Sequence, residues 1–174
     1  MPHMKKTIFF LMLAFSALTL NSCLEGYSDS TPSLIFYVFE HNWQDTIPGD
    51  TLRWKVDKEE YVMDTIAVGD SVKFKLYANS YGNNLQSLVF TYDTVALDVT
   101  FPITKDMLVA LDTGKCDIAH GKYVFLPGYN GVGLEVKYRP LVVGSHSLNV
   151  AVKSDANSDR VPNETSLSFK QPTR

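Results

Sequence analysis

From about position 60 onward the chain alternates apolar and polar side chains with a period of two. Val72, Phe74 and Leu76 alternate with Ser71, Lys73, Lys75 and Tyr77. Leu134, Val136 and Tyr138 alternate with Glu135, Lys137 and Arg139, and Leu148, Val150 and Val152 with Asn149, Ala151 and Lys153. Leu167 and Phe169 alternate with Ser166, Ser168 and Lys170. Successive side chains of a strand point to opposite faces, so each run predicts a strand with one buried and one wet face. Further strands are expected over 34–40, 51–56, 61–68, 87–92, 95–101 and 122–126. Turn residues punctuate them at Pro48-Gly49-Asp50, Gly69-Asp70, Tyr81-Gly82-Asn83-Asn84, Pro127-Gly128, Gly131, Gly133 and Gly144. Only 104–111 reads as a helical turn or two, with Thr104 as its cap. Many short strands with regular turns predict an all-β, antiparallel β-sandwich.

Two stretches sharpen this expectation. Thr65-Ile66-Ala67-Val68-Gly69-Asp70-Ser71-Val72-Lys73-Phe74 resembles the junction of strands A and B in bacterial immunoglobulin-like domains. Gly69-Asp70 would let the chain change sheets there. Tyr138-Arg139-Pro140, Gly144 and the alternating run to Val152 resemble the E-to-F corner of the same domains. The resemblance implies an immunoglobulin-like sandwich with 165–170 as its last strand. Pro48-Gly49-Asp50-Thr51-Leu52-Arg53-Trp54 echoes Val68 to Phe74, which reads as one strand-entry turn used twice. The segment 34–56 then supplies one or two extra N-terminal strands.

The start of the chain has a different pattern. Lys5 and Lys6 precede a run over 8–20 that is apolar except for Ser16 and Thr19, and Leu20-Asn21-Ser22-Cys23 follows. Such a run is too short for a spanning helix, which needs about 20 apolar residues. The segment resembles a bacterial lipoprotein signal peptide ending in a lipobox, with Asn21 a less usual residue at its position. The resemblance implies cleavage after Ser22 and a lipid on Cys23. The expected organisation is a signal peptide over 1–22, a lipidated Cys23 with a small, polar tether over 23–33, and the sandwich over 34–172. Leu24 after the Cys, where this family's inner-membrane retention signal would have Asp, favours the outer membrane; its periplasmic and surface faces both fit. The layout, with its closing Thr165-Ser166-Leu167-Ser168-Phe169, is also similar to small accessory lipoproteins encoded on conjugative transposons.

Charge narrows the partners. The chain of 174 residues has a formal net charge of -3. Lys5 and Lys6 are the only charged residues before Cys23, so of 16 basic and 19 acidic residues the mature part keeps 14 and 19. That balance argues against a nucleic-acid binder, which needs a basic face to neutralise phosphates, and against a polybasic membrane-surface binder. The expected attachment to the membrane is through the lipid on Cys23.

Candidate chemistry is sparse. With Cys23 lipidated, Cys116 is single and has no disulfide partner. Lys115 and His120 near it would suit a nucleophile, but a half-buried structural thiol is the simpler reading. His3, His41, His120 and His146 show no metal-ligand spacing. Asp155, Asn157 and Asp159 place three oxygens at alternate positions, as calcium loops do, yet Arg160 stands where an EF-hand has Gly. A solvated loop contains such residues anyway. Asp93, Asp98, Asp112 and Asp117 offer carboxylates for a glycosidase by count alone. No cofactor-binding fingerprint occurs. The aromatics stand out more. Trp43, Tyr81, Tyr92, Tyr123 and Tyr129 fall near turns or strand ends, where exposed rings stack on sugars or anchor protein contacts. Trp43, Tyr81, Tyr129 and Asn130 are the candidate ligand-binding residues, with Tyr129-Asn130-Gly131-Val132-Gly133 as a recognition loop. Trp54 and Tyr138 share core parity and are assigned to the interior.

The expected function is a non-enzymatic binding or assembly module of the cell envelope, with no cofactor. Its partner would be an envelope protein or a glycan, and not nucleic acid. A carbohydrate-binding lipoprotein using the loop aromatics is the alternative, with a hydrolase behind it.

Overall fold

The alternating runs pair into two sheets that face each other across their apolar sides. The computed structural model describes residues 30–42 and 50–174. The expected signal segment over 1–22, Cys23, most of the expected tether and Trp43 lie outside those residues. The described strands are β1 (Ser33–His41), β2 (Asp50–Leu52), β3 (Trp54–Asp57), β4 (Glu60–Met63), β5 (Val72–Asn79), β6 (Leu85–Tyr92), β7 (Leu97–Thr100), β8 (Lys122–Val124), β9 (Gly131–Pro140), β10 (Gly144–Ser154) and β11 (Glu164–Thr173). One sheet has the order β2-β1-β5-β9-β7 and the other β3-β4-β11-β10-β6-β8. With β1, β5, β9 and β7 as A, B, E and D, and β11, β10 and β6 as G, F and C, this is the immunoglobulin-like sandwich. A short α-helix, α1 (Lys105–Val109), follows β7; Thr104 caps it, its hydroxyl accepting from Met107 N at 3.2 Å. Among the described residues no helix is long and apolar enough to cross a membrane.

The chain changes sheets at both anticipated corners, but the strand that enters Gly69-Asp70 is β4, beside β11, while the place of strand A next to β5 is taken by β1, expected only as an N-terminal addition. The chain leaves β4 in one sheet and enters β5 in the other, and Gly69-Asp70 lies in that crossing. β9 ends at Pro140 and β10 starts at Gly144, again in opposite sheets. The N-terminal additions are finer than expected. The run 51–56 is two strands, β2 and β3, which belong to different sheets. The strand expected over 61–68 is the short β4, which pairs in parallel with β11, while the other described strand pairs are antiparallel.

The core joins the sheets through rings. Phe39 stacks on Phe74 at 4.6 Å, and Phe169 from the opposite sheet meets Phe36 at 5.1 Å and Phe74 at 5.3 Å. Burying one such side chain contributes on the order of 1.5–3 kcal/mol. Strict alternation would not turn both Phe36 and Phe39 inward. The register slips between Tyr37 and Glu40, where β1 carries one extra residue, and that bulge restores the inward face. Toward the β6–β8 edge of the core Gly121 has φ +74°, and a Cβ there would stand 2.6 Å from the Phe101 ring and 2.9 Å from Phe90. Only glycine fits both the backbone and that gap.

Candidate functional site

Three loops meet at the end of the sandwich where the described chain begins. The β5–β6 turn is tied to the β8–β9 loop by Ser80 N and Ser80 Oγ, which donate to Asn130 O at 2.8 and 3.0 Å. Leu85 N donates to Tyr129 O at 2.7 Å. Asn84 joins all three loops. Its backbone N and its Nδ2 donate to the two carboxylate oxygens of Asp155 at 2.7 and 2.6 Å, and its Oδ1 accepts from Gly128 N at 2.7 Å. Asn83 Nδ2 reaches Ser30 O at 3.3 Å, so the chain enters here.

This end collects several residues singled out from the sequence. Tyr81 is exposed, with φ +60°, and its N–H is held by Asn79 Oδ1 at 2.7 Å. Tyr129 is half-buried and packs on the core, and Asn130 beside it is exposed. The structure thus brings Tyr81, Tyr129, Asn130 and Asp155 to one end. Gly131 to Gly133, read as part of a recognition loop, are the first residues of β9. Asp155 is taken up by Asn84, and Asn157 Oδ1 accepts from Asp159 N at 3.1 Å, a turn bond. Among the described residues no group of three or more His, Cys, Asp or Glu is placed to hold a metal.

The other candidates disperse. Tyr123 is fully buried and Tyr92 half-buried on the core, so neither offers a free ring. Trp54 is 47% exposed, against the expectation of a core residue. It follows Leu52, which is buried, but the chain changes sheets at Arg53, and parity does not carry across that break. Cys116 is half-buried; its Sγ donates to Asp112 O at 3.2 Å and accepts from Val124 N at 3.3 Å. His120 pairs with Asp117 at 2.9 Å, and no hydrogen bond joins it to Cys116. Asp112 pairs with Lys115 at 2.9 Å, and Asp93 Oδ1 accepts from Val95 N at 2.9 Å.

The opposite end is apolar. Val68, Val95, Leu141, Val142 and Val143 are 40%, 75%, 44%, 42% and 70% exposed. Main-chain bonds tie their segments together: Leu141 N to Ala96 O at 2.8 Å, Gly69 N to Pro140 O at 2.9 Å and Val68 N to Arg174 O at 3.1 Å. Thr173 Oγ1 donates to Val142 O at 2.9 Å. Beside this end His41 Nε2 meets Asp70 Oδ2 at 2.8 Å. Partial burial pushes the Asp70 carboxyl up, but the His41 hydrogen bond, the Ala67 amide and the charge of His41 outweigh it and hold the carboxyl below its ordinary range.

One surface escapes the sequence pattern. Tyr37 and Tyr77 lie on the outward face of the five-stranded sheet, 53% and 46% exposed. Tyr77 shares parity with Lys73 and Lys75, which puts it on the wet face with them. An aromatic ring among lysines on that face is the signal the sequence offers.

No family model and no curated protein matches the chain. Solved structures do match it. A family 123 glycoside hydrolase from Clostridium perfringens matches over 83% of this chain and 27% of its own, at 7% identity and a TM-score of 0.41. The secreted serine protease VesC from Vibrio cholerae matches over 70% of this chain and 23% of its own, at 9% identity and a TM-score of 0.39. The chain therefore spans only a small part of either protein. The PapD-like domain 7 of human CEP192 matches over 70% of this chain and 84% of its own, at 7% identity and a TM-score of 0.35.

Proposed function

We propose that the chain is a cell-envelope lipoprotein, anchored at the outer membrane through Cys23, whose domain is a non-enzymatic binding and assembly module for an envelope protein. The aliphatic far end carries this reading. Five exposed Val and Leu side chains from three connections, β4–β5, β6–β7 and β9–β10, share one end. Soluble monomers scatter exposed aliphatics singly, and a grouped set marks an interaction surface. The direction of the chain supports it too. Ser30 lies at the loop end, and β9 runs ten residues from that end to the other, about 30 Å at roughly 3.3 Å per residue. A lipid on Cys23 would hold the loop end near the bilayer and present the aliphatic end away from it.

Two measurements test this. Cys23→Ser is expected to shift the chain from the membrane fraction to the soluble fraction and to remove the lipid mass; unchanged fractionation and mass would sink the anchor. A photo-crosslinking residue at Val143 is expected to give a protein adduct in intact cells, and one at Val109, also exposed but on α1, is not. Absence of an adduct at Val143, or equal adducts at both, would sink the docking end.

A further inference from the structure

The outward face of the five-stranded sheet carries a separate site. Register places Ile35 opposite Tyr77, Tyr37 opposite Lys75, and Tyr77 opposite Gly133. Gly133 matters for what it lacks. A Cβ there would stand 2.8 Å from Cε1 and 3.2 Å from Cδ1 of Tyr77, so the ring occupies the space that a side chain on β9 would fill. Tyr37 meets Tyr77 edge-to-face, with centroids 5.5 Å apart and planes at 89°. The two rings are thereby held in place yet remain about half exposed.

Polar groups frame the rings. Asn79, two residues along β5, uses its Oδ1 on Tyr81 N, and its amide N–H groups have no partner among the described residues. Glu40 pairs with Lys73 at 3.0 Å and Glu135 with Lys137 at 3.2 Å. Lys75, exposed between Tyr37 and Glu135, has no ion-pair partner among the described residues. The face therefore combines a preset aromatic surface, amide donors and the exposed Lys75 cation.

We propose that this shelf binds a uronic-acid unit of an acidic glycan. A pyranose offers a face of C–H groups, which stacks on an aromatic ring, and a rim of hydroxyls, which needs donors and acceptors beside that ring. Tyr77 supplies the stacking face, Asn79 bonds the rim, and Lys75 pairs with the sugar carboxylate. A protein partner would call for continuous apolar surface, and Lys75, Asn79 and Glu135 interrupt it here. Because Gly133 and Tyr37 already hold the Tyr77 ring, little side-chain freedom is lost on binding. The site is independent of the aliphatic end.

The test is titration calorimetry of the full chain in detergent with oligomers of galacturonate, glucuronate and mannuronate, and with neutral galactose and glucose oligomers. At least one uronate oligomer is expected to bind, more tightly than its neutral counterpart. Tyr77→Ala is expected to weaken binding about tenfold or more, and Tyr77→Phe to retain it. Gly133→Ala, which displaces the ring while keeping it, is expected to weaken binding as well. Lys75→Gln is expected to erase the preference for the acidic sugar. Val143→Asp is expected to leave sugar binding unchanged, which separates this site from the docking end. The proposal is overturned if none of the uronates binds at millimolar concentration, if Tyr77→Ala and Gly133→Ala both bind as the parent does, or if Lys75→Gln leaves the acidic preference intact.

Discussion

Two buried tyrosines place their hydroxyls in opposite circumstances. Tyr138 donates to Gln171 Oε1 at 2.8 Å, and Gln171 Nε2 in turn donates to Asp64 O at 2.8 Å. The Tyr123 hydroxyl is buried without a partner among the described residues. Burial pushes both phenols up, so both stay protonated. Removing the Tyr138 hydroxyl leaves a buried amide oxygen unpaired, which costs about 1–3 kcal/mol; removing that of Tyr123 relieves an unpaired group. Tyr138→Phe is therefore expected to lower the urea midpoint, and Tyr123→Phe to leave it level or raise it. Equal losses in the two variants would contradict this account. At this scale the sequence is a partial guide. Tyr138, Phe74 and Val150 are legible as core because each sits inside an unbroken alternating run. Trp54 is not, because a change of sheet breaks the parity after Leu52. Parity puts Tyr77 on the right face, but its role depends on facing Gly133, 56 residues away, and no local pattern encodes that pairing.

Between elements, the Asp70 carboxylate acts as a latch. It accepts from His41 at the end of β1 and from Ala67 N at 2.9 Å, and so fastens the strand end to the segment that changes sheets. A carboxyl held below its ordinary value of 3.8 adds stability above that value, and the contribution is lost as pH falls through the folded-state value. The difference in unfolding free energy between the parent chain and Asp70→Asn should be present at pH 7 and should close as pH drops below about 4. Urea titrations at pH 7 and pH 3 measure it; a difference unchanged at pH 3 would remove the latch. The two corners around this latch are readable because glycine and proline mark them. The bulge in β1 and the parallel pairing of β4 with β11 are not. A bulge keeps the apolar composition while shifting its phase, and strand direction is set by a partner distant in sequence.

Across the whole molecule, the distribution of exposed apolar surface separates folding from function. Val143 and Val95 are 70% and 75% exposed, so little of either side chain is withdrawn from water in this structure. If the far end serves docking alone, polar replacements there should cost the fold almost nothing, since surface substitutions usually stay within about 0.5 kcal/mol. Val95→Ser with Val143→Ser is expected to keep the unfolding free energy of the parent chain while abolishing the adduct formed from that end. For this variant the crosslinking residue belongs at Val142, which leaves the probe in place. A loss of stability well above that range would mean that the end packs as core, and the exposed aliphatics would then carry no argument for a partner. Retained adducts at full stability would mean that the partner does not hold these side chains, and the docking end would fall. A chain that stays fully folded yet no longer forms the adduct is the outcome that assigns these side chains to binding.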